Sequence, residues 1–274
     1  MRIVVLSPSL YSETACAMAV RMAQLGHAPA GALALPTLDR GTLLRKLGQW
    51  GLRGVARYAR AKIIPHRGDR ERVSNRYLEP LLTHRDGVFR SLREVGAAYD
   101  FPVAICTNQN APAAMERLGE WSPDLIIFTG GNILRRQLLE TPLLGVLNMH
   151  LGLLPEIRGM SSPEWSLLKG VPVGVTVHFM DSGIDTGPVL RRYEFPGLER
   201  CESLSDLRHR LIAFGVEKAG EVVAGLDRGT IVAKPQSELD RDHQFFVMHE
   251  WLQARAADRL SKNQHARVVG ATRG

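Results

Sequence analysis

Residues 2–35 read RIVVLSPSLYSETACAMAVRMAQLGHAPAGALAL, and this stretch decides the fold class. RIVVLS, residues 2–7, is an apolar run of strand length. Residues 12–25 place Ala, Met and Leu in a helical segment, with Ser12 able to cap its start and Gly26 to end it. Residues 29–35 supply a second apolar run. Strand, helix and strand in this order open a sheet with parallel strands, and hence predict an α/β domain. The turn after the first strand reads Ser7-Pro8-Ser9-Leu10, so the GxGxxG dinucleotide fingerprint is absent.

The same rhythm returns further along. Strands are predicted at 103–106, 125–128, 145–150, 172–180 and 189–195, the last pairing with the strand before it. Val173, Val175, Val177 and Phe179 alternate with Gly174, Thr176 and His178, the period-two pattern of a strand. Helices are predicted at 111–118, 133–140, 203–226 and 245–260, with the last dozen residues frayed. Residues 38–62 have a helical apolar rhythm, and 65–85 read as an irregular loop.

Hydrophobic residues make up 45% of the 274, which suits one packed core, or one core with an appendage. No segment is long and apolar enough to span a membrane, and the first residues lack a signal-peptide cleavage pattern. Cys16, Cys106 and Cys201 form neither a CxxC pair nor a disulfide framework, so a cytoplasmic setting is expected. The formal charge of +7 is concentrated: residues 40–76 hold eleven Lys and Arg against Asp69 and Glu71. Two readings of that cluster stand, a solvated helical face or part of a site for a phosphorylated or nucleotide-linked substrate. Aromatic residues do not interleave with it as they would in a single-strand stacking surface.

Three polar elements interrupt the apolar pattern. In Asn148-Met149-His150 the outer two side chains share one face of an extended segment. Residues 152–159, GLLPEIRG, form a turn stiffened by Pro155. Residues 181–188, DSGIDTGP, are an acidic loop directly after a strand, whose glycines let Asp185 turn back toward the other groups. An amide, an imidazole and a carboxylate suit acyl transfer to an amine. Asn148 can donate to the developing oxyanion, His150 can donate or carry the amine proton, and Asp185 can orient and charge-stabilise His150. Each also has a structural reading. His150 can be a structural or surface histidine, Asp185 can cap its own loop, and Asn148 can satisfy backbone groups. His178 is either an enclosed wall residue or a substrate contact. His150, His178, Asp181 and Asp185 match no zinc signature, so no metal is expected. Ser161 and Ser162 sit in no GxSxG elbow.

The ordered set NxH, LLPxxRG and DxGxDTGP, carried by PDLIIFTGG, GVLNMHLGLLPEIRG and GVTVHFMDSGIDTGPV, resembles the 10-formyltetrahydrofolate-dependent formyltransferases. That family includes the glycinamide ribonucleotide, methionyl-tRNA and amino-sugar enzymes and formyltetrahydrofolate deformylase. The resemblance is strongest from about Pro123 to Pro188 and weakens toward Gln236. It implies a Rossmann-like formyltransferase fold: a mostly parallel central sheet, a helical insertion and a short C-terminal extension. It implies Asn148, His150 and Asp185 as catalytic residues and 10-formyltetrahydrofolate as cosubstrate, with no metal. The pterin is expected near Gly131, Asn132, Ile133 and Leu134 and against Asp181, Ser182, Gly183 and Ile184. Ser9, Arg158, Gly159 and His178 are the candidate acceptor contacts.

On this reading residues 1–235 form the catalytic domain, with 36–99 a divergent insertion, and 236–274 a C-terminal helical extension. Ser7-Pro8-Ser9 does not match the phosphate loop of the ribonucleotide enzymes. Too few residues follow Ala233 for the extra domain of the tRNA enzymes, and the sheet starts too early for the deformylase's regulatory domain. The expected reaction is therefore formyl transfer to a small-molecule amine, phosphorylated or nucleotide-linked, without nucleic-acid or membrane partners. A homodimer is a family-level expectation. Deformylase, methionyl-tRNA formyltransferase and a non-enzymatic folate- or nucleotide-binding protein are the alternatives.

Overall fold

β1 (Ile3–Ser7) is buried along its whole length, as a strand with paired neighbours on both sides requires. In the computed structural model, which describes residues 1–36, 74–236 and 243–271, β1 begins the first of two compact units, Arg2–Leu134. Ser12 accepts the Ala15 N–H at 3.3 Å and starts α1 (Glu13–Gln24), which Gly26 closes at φ +81°. β2 (Gly31–Ala34) pairs parallel with β1. A short α2 (Glu79–Leu82) and a hairpin of β3 (Thr83–His84) with β4 (Gly87–Val88) precede α3 (Leu92–Ala98). β5 (Val103–Ile105), α4 (Pro112–Trp121) and β6 (Leu125–Phe128) complete the unit. The strands run in parallel in the order β6, β1, β2, β5. A Cβ on Gly31 would lie 2.5 Å from the Trp121 ring, so β2 and α4 approach more closely there than any larger residue allows.

The second unit is Met1 with Arg135–Gly274. Its elements are α5 (Arg136–Leu139), β7 (Gly145–His150), β8 (Arg158–Gly159), α6 (Ser162–Lys169), β9 (Gly174–Phe179) and β10 (Val189–Glu194). α7 (Leu204–Asp227), β11 (Gln244–Phe245) and α8 (Glu250–Ala271) follow. β9 pairs antiparallel with both β7 and β10, and β11 runs parallel to β8. Ser203 caps α7 by accepting the Asp206 N–H at 3.0 Å. The core packs Val173 and Val175 of the β9 segment against Leu207 and Leu211 of α7 and Met248, Ala256 and Leu260 around α8. Fully burying such a side chain contributes roughly 1.5–3 kcal/mol relative to leaving it exposed.

The class is α/β and Rossmann-like, as the sequence implies, with helices flanking the sheet strands and a C-terminal helix. The unit boundary at Arg135 falls within the expected 1–235 segment, and the described part of 236–274 packs in the second unit. Four element predictions change, the first being the irregular loop expected at 65–85, whose described part holds α2 (Glu79–Leu82) and β3 (Thr83–His84). The helix expected at 133–140 is only Arg136–Leu139, with Ile133 93% exposed. Gln244–Phe245 is a strand rather than the start of the last helix, because its backbone pairs with β8. That last helix, α8, begins at Glu250 and extends to Ala271, past the expected end near Leu260. The predicted helix 38–62, most of the basic cluster and the loop up to residue 73 lie outside the described residues. Among the described residues no helix is long and apolar enough to cross a membrane.

Candidate active site

Strand register builds the centre of the site. The antiparallel pairing of β7 with β9 sets Asn148 opposite His178 and His150 opposite Thr176. The period of two puts Asn148 and His150 on one face and sends Met149 to the other, where its sulfur meets α7 at Gly215. Thr176 accepts the Leu154 N–H at 3.1 Å and donates to the Gly152 carbonyl at 2.7 Å, which ties the Pro155 turn to β9. Asp185 enters from the loop after β9. Its φ of +54° is a conformation in which L-residues are uncommon, and it turns the carboxylate back onto the two strands. Gln236 holds the loop in that shape, donating to the carbonyls of Asp185 at 2.9 Å and Gly187 at 2.8 Å.

The four polar side chains converge. Asp185 Oδ2 lies 3.3 Å from His150 Nδ1 and accepts the Gly159 N–H at 2.8 Å. Asp185 Oδ1 lies 3.5 Å from both Asn148 Nδ2 and His178 Nε2. His150 Nε2 is 2.8 Å from the Ile157 carbonyl, which can only accept, so that nitrogen carries a proton. Burial would push the Asp185 carboxyl up, but the neighbouring His150 ring, His178 and the Gly159 N–H more than offset it and hold it at about 2. His150 is pushed below its ordinary value, because its burial outweighs the attraction of Asp185. At neutral pH the group is thus a neutral imidazole beside a carboxylate, ready to receive one proton that Asp185 then stabilises.

Gly159 works through its backbone. Its N–H serves Asp185, and its φ of +91° with the Phe245 carbonyl where a Cβ would stand admits only glycine without rearrangement. β11 secures this arrangement. Phe245 accepts the Met160 N–H at 2.9 Å and stacks on Trp165, whose indole donates to the Phe246 carbonyl at 2.9 Å.

The second unit thus gathers Asn148, His150, Asp185, Gly159 and His178. Arg158 and His178 are enclosed, at 3% and 1% exposure, whereas Asp181, Ser182, Gly183 and Ile184 are exposed on their loop. Ser9, Gly131, Asn132, Ile133 and Leu134 belong to the first unit, Ser9 half-buried after β1 and the others after β6. There Gln109, fully buried, donates to the carbonyls of Ser7 and Gly130, both at 3.3 Å. It also exchanges hydrogen bonds with Asn132 through its backbone N–H and its Oε1, at 3.0 and 3.1 Å. Gln109, Thr176 and Gln236 have no motif to announce them; the only trace in the sequence is a polar residue inside or beside an apolar stretch. Among the described residues no group of three or more His, Cys, Asp or Glu is placed to hold a metal ion.

Residues 99–223, which include Asn148, His150 and Asp185, match the model of the formyl transferase family. Over these residues the chain is similar to that family. The chain is 35% identical over 149 residues to a methionyl-tRNA formyltransferase of Pelobacter propionicus, covering 54% of this chain and 46% of that protein. It is 36% identical over 165 residues to the enzyme of the same name from Desulfotalea psychrophila, covering 59% and 46%. The chain spans about half the length of these curated relatives. Among solved structures, the fold matches glycinamide ribonucleotide transformylase 1 from Symbiobacterium toebii, with TM-score 0.55, 19% identity and coverage of 86% and 95%. It also matches a sugar N-formyltransferase from Shewanella sp. FDAARGOS_354, with TM-score 0.57, 13% identity and coverage of 95% and 87%. These likenesses correct the expectation of a small-molecule partner without nucleic acid, because the formyl transferase relatives cited carry methionyl-tRNA in their names.

Proposed function

We propose that the chain transfers the formyl group of 10-formyltetrahydrofolate to the amine of an aminoacyl-tRNA. The observation that carries the chemistry is the convergence of Asn148 and His150 of β7 with Asp185 of the strained loop after β9. The names of the curated relatives support the acceptor.

In the proposed step the amine attacks the formyl carbon directly. A C–N bond to the acceptor forms, and the carbonyl oxygen becomes an oxyanion that Asn148 Nδ2–H stabilises. The attacking nitrogen must lose a proton and the departing folate N10 must gain one. The His150–Asp185 pair takes the first and returns the second, so atoms and charge balance without a covalent enzyme intermediate. Burial keeps His150 neutral and able to accept, while the carboxylate 3.3 Å away stabilises the imidazolium once formed. In the second unit Gly159 is proposed on the acceptor side. In the same unit Asp181–Ile184 are proposed for the folate, chiefly through backbone groups.

The test is purified protein with 10-formyltetrahydrofolate and methionyl-tRNA, measuring formylmethionyl-tRNA and tetrahydrofolate together, beside reactions lacking tRNA. Equimolar appearance of both products, dependent on the charged tRNA, is the expected result. Tetrahydrofolate release without tRNA would replace the reading with hydrolysis. Release that depends on another amine would reject tRNA as the acceptor and retain the chemistry.

A further inference from the structure

Behind Asn148 the cluster is closed by His178, a histidine that the proton transfers above do not use. Its ring is 1% exposed, so it has no surface to offer an acceptor. Nδ1 lies 2.8 Å from the carbonyl of Phe179. A carbonyl oxygen only accepts, so the proton of the neutral ring resides on Nδ1 and Nε2 presents a lone pair. That lone pair faces Asn148 Nδ2 at 3.1 Å. The amide nitrogen therefore donates one N–H to His178. Turned the other way, the Asn148 carbonyl oxygen would face this lone pair and also the Asp185 carboxylate, whose Oδ1 is 3.5 Å from the present nitrogen. Both contacts would set acceptor against acceptor, so the buried surroundings select a single amide orientation.

We infer that His178 is a positioning residue which fixes the Asn148 amide with its nitrogen toward the reacting centre. It takes one of the two amide N–H groups and leaves the second aimed past Asp185. The 3.5 Å separation from Asp185 Oδ1 is long for a hydrogen bond, so that second N–H has only a weak resting partner. An oxyanion forming on the formyl group is a stronger acceptor and claims it without any rotation of the side chain. The donor is thus oriented before reaction, which is where such groups gain their catalytic value. Cross-strand register is what makes this possible, because Asn148 and His178 are direct partners in the β7–β9 ladder.

The kinetic part rests on the formyl-transfer reading; the hydrogen-bond part does not. Long-range ¹H–¹⁵N spectra of the native protein are expected to show His178, assigned by loss of its signals in H178Q, as the Nδ1–H tautomer. An Nε2–H tautomer overturns the inference whether or not any turnover is seen. In formyl-transfer kinetics, His178→Leu removes the acceptor and is expected to lower kcat by about 10- to 100-fold, within the range of a misplaced oxyanion donor. The KM for 10-formyltetrahydrofolate should stay within about twofold. His178→Gln can place an acceptor oxygen near the former Nε2 and should recover most of the lost kcat. Full activity in folded H178L, or no recovery in folded H178Q, rejects the positioning role. Absence of formyl transfer by the native enzyme counts against the reaction instead, and the tautomer measurement still decides the hydrogen bond.

Discussion

Replacing Asp185 by Asn tests the charge at the centre of the site through both stability and turnover. The surrounding groups hold this carboxyl at about 2, against an ordinary value of 3.8. A depressed carboxyl stabilises the fold at pH values above its unfolded pKa, and the contribution is lost as pH falls through the folded one. The difference amounts to about 2 kcal/mol, fully present from about pH 5 upward and roughly half gone by pH 3. Asn keeps the shape and can still accept the Gly159 N–H, so Asp185→Asn should be less stable than the native protein by about 2 kcal/mol at pH 7. The gap should narrow toward pH 3. Urea unfolding at several pH values measures it. The variant should also lose roughly 10²- to 10⁴-fold in kcat, because the protonated His150 is left without its carboxylate. Equal stabilities at pH 7, or a gap that does not change with pH, would show that the pocket does not hold a charged Asp185.

Asn148→Ala should lower kcat by about 10²- to 10³-fold, the usual cost of one oxyanion donor, and steady-state formyl transfer reads it directly. Because burial pushes His150 below 6.5, the acid limb of the pH–kcat profile should fall below that value; a limb centred above it would contradict a neutral His150. Gly159→Ala places a methyl at the Phe245 carbonyl with φ at +91°, so urea unfolding should show a loss of about 1–3 kcal/mol from backbone strain alone, with reduced turnover as the N–H to Asp185 shifts. Gly31→Ala forces a methyl to within 2.5 Å of the Trp121 ring and should cost about 1–3 kcal/mol of stability in the same assay, with kcat per folded molecule unchanged.

The opening strand, helix and strand were legible because each follows a local rule. RIVVLS is apolar along its length, Ser12 is a helix cap, and Gly26 supplies the left-handed residue after it. The alternation from Val173 to Phe179 marked β9 for the same reason. Asn148, His150 and Asp185 stood out as polar residues in an apolar context, and the spacing of two showed that the first two share a face. What depends on pairing was not legible. Nothing local says that residue 148 lies opposite 178, because register is a contact between strands distant in sequence. His178 therefore read as an enclosed wall residue or as a substrate contact, and only tertiary structure makes it the hydrogen-bond acceptor of Asn148. Phe245 began a stretch of helix-like composition, yet its backbone found a partner in β8, and a long-range ladder outweighed a weak local preference. The sequence by itself determined which chemical groups the chain carries and which local elements present them. Tertiary structure decided their protonation and orientation, because both depend on burial and on partners that only folding brings within hydrogen-bond distance.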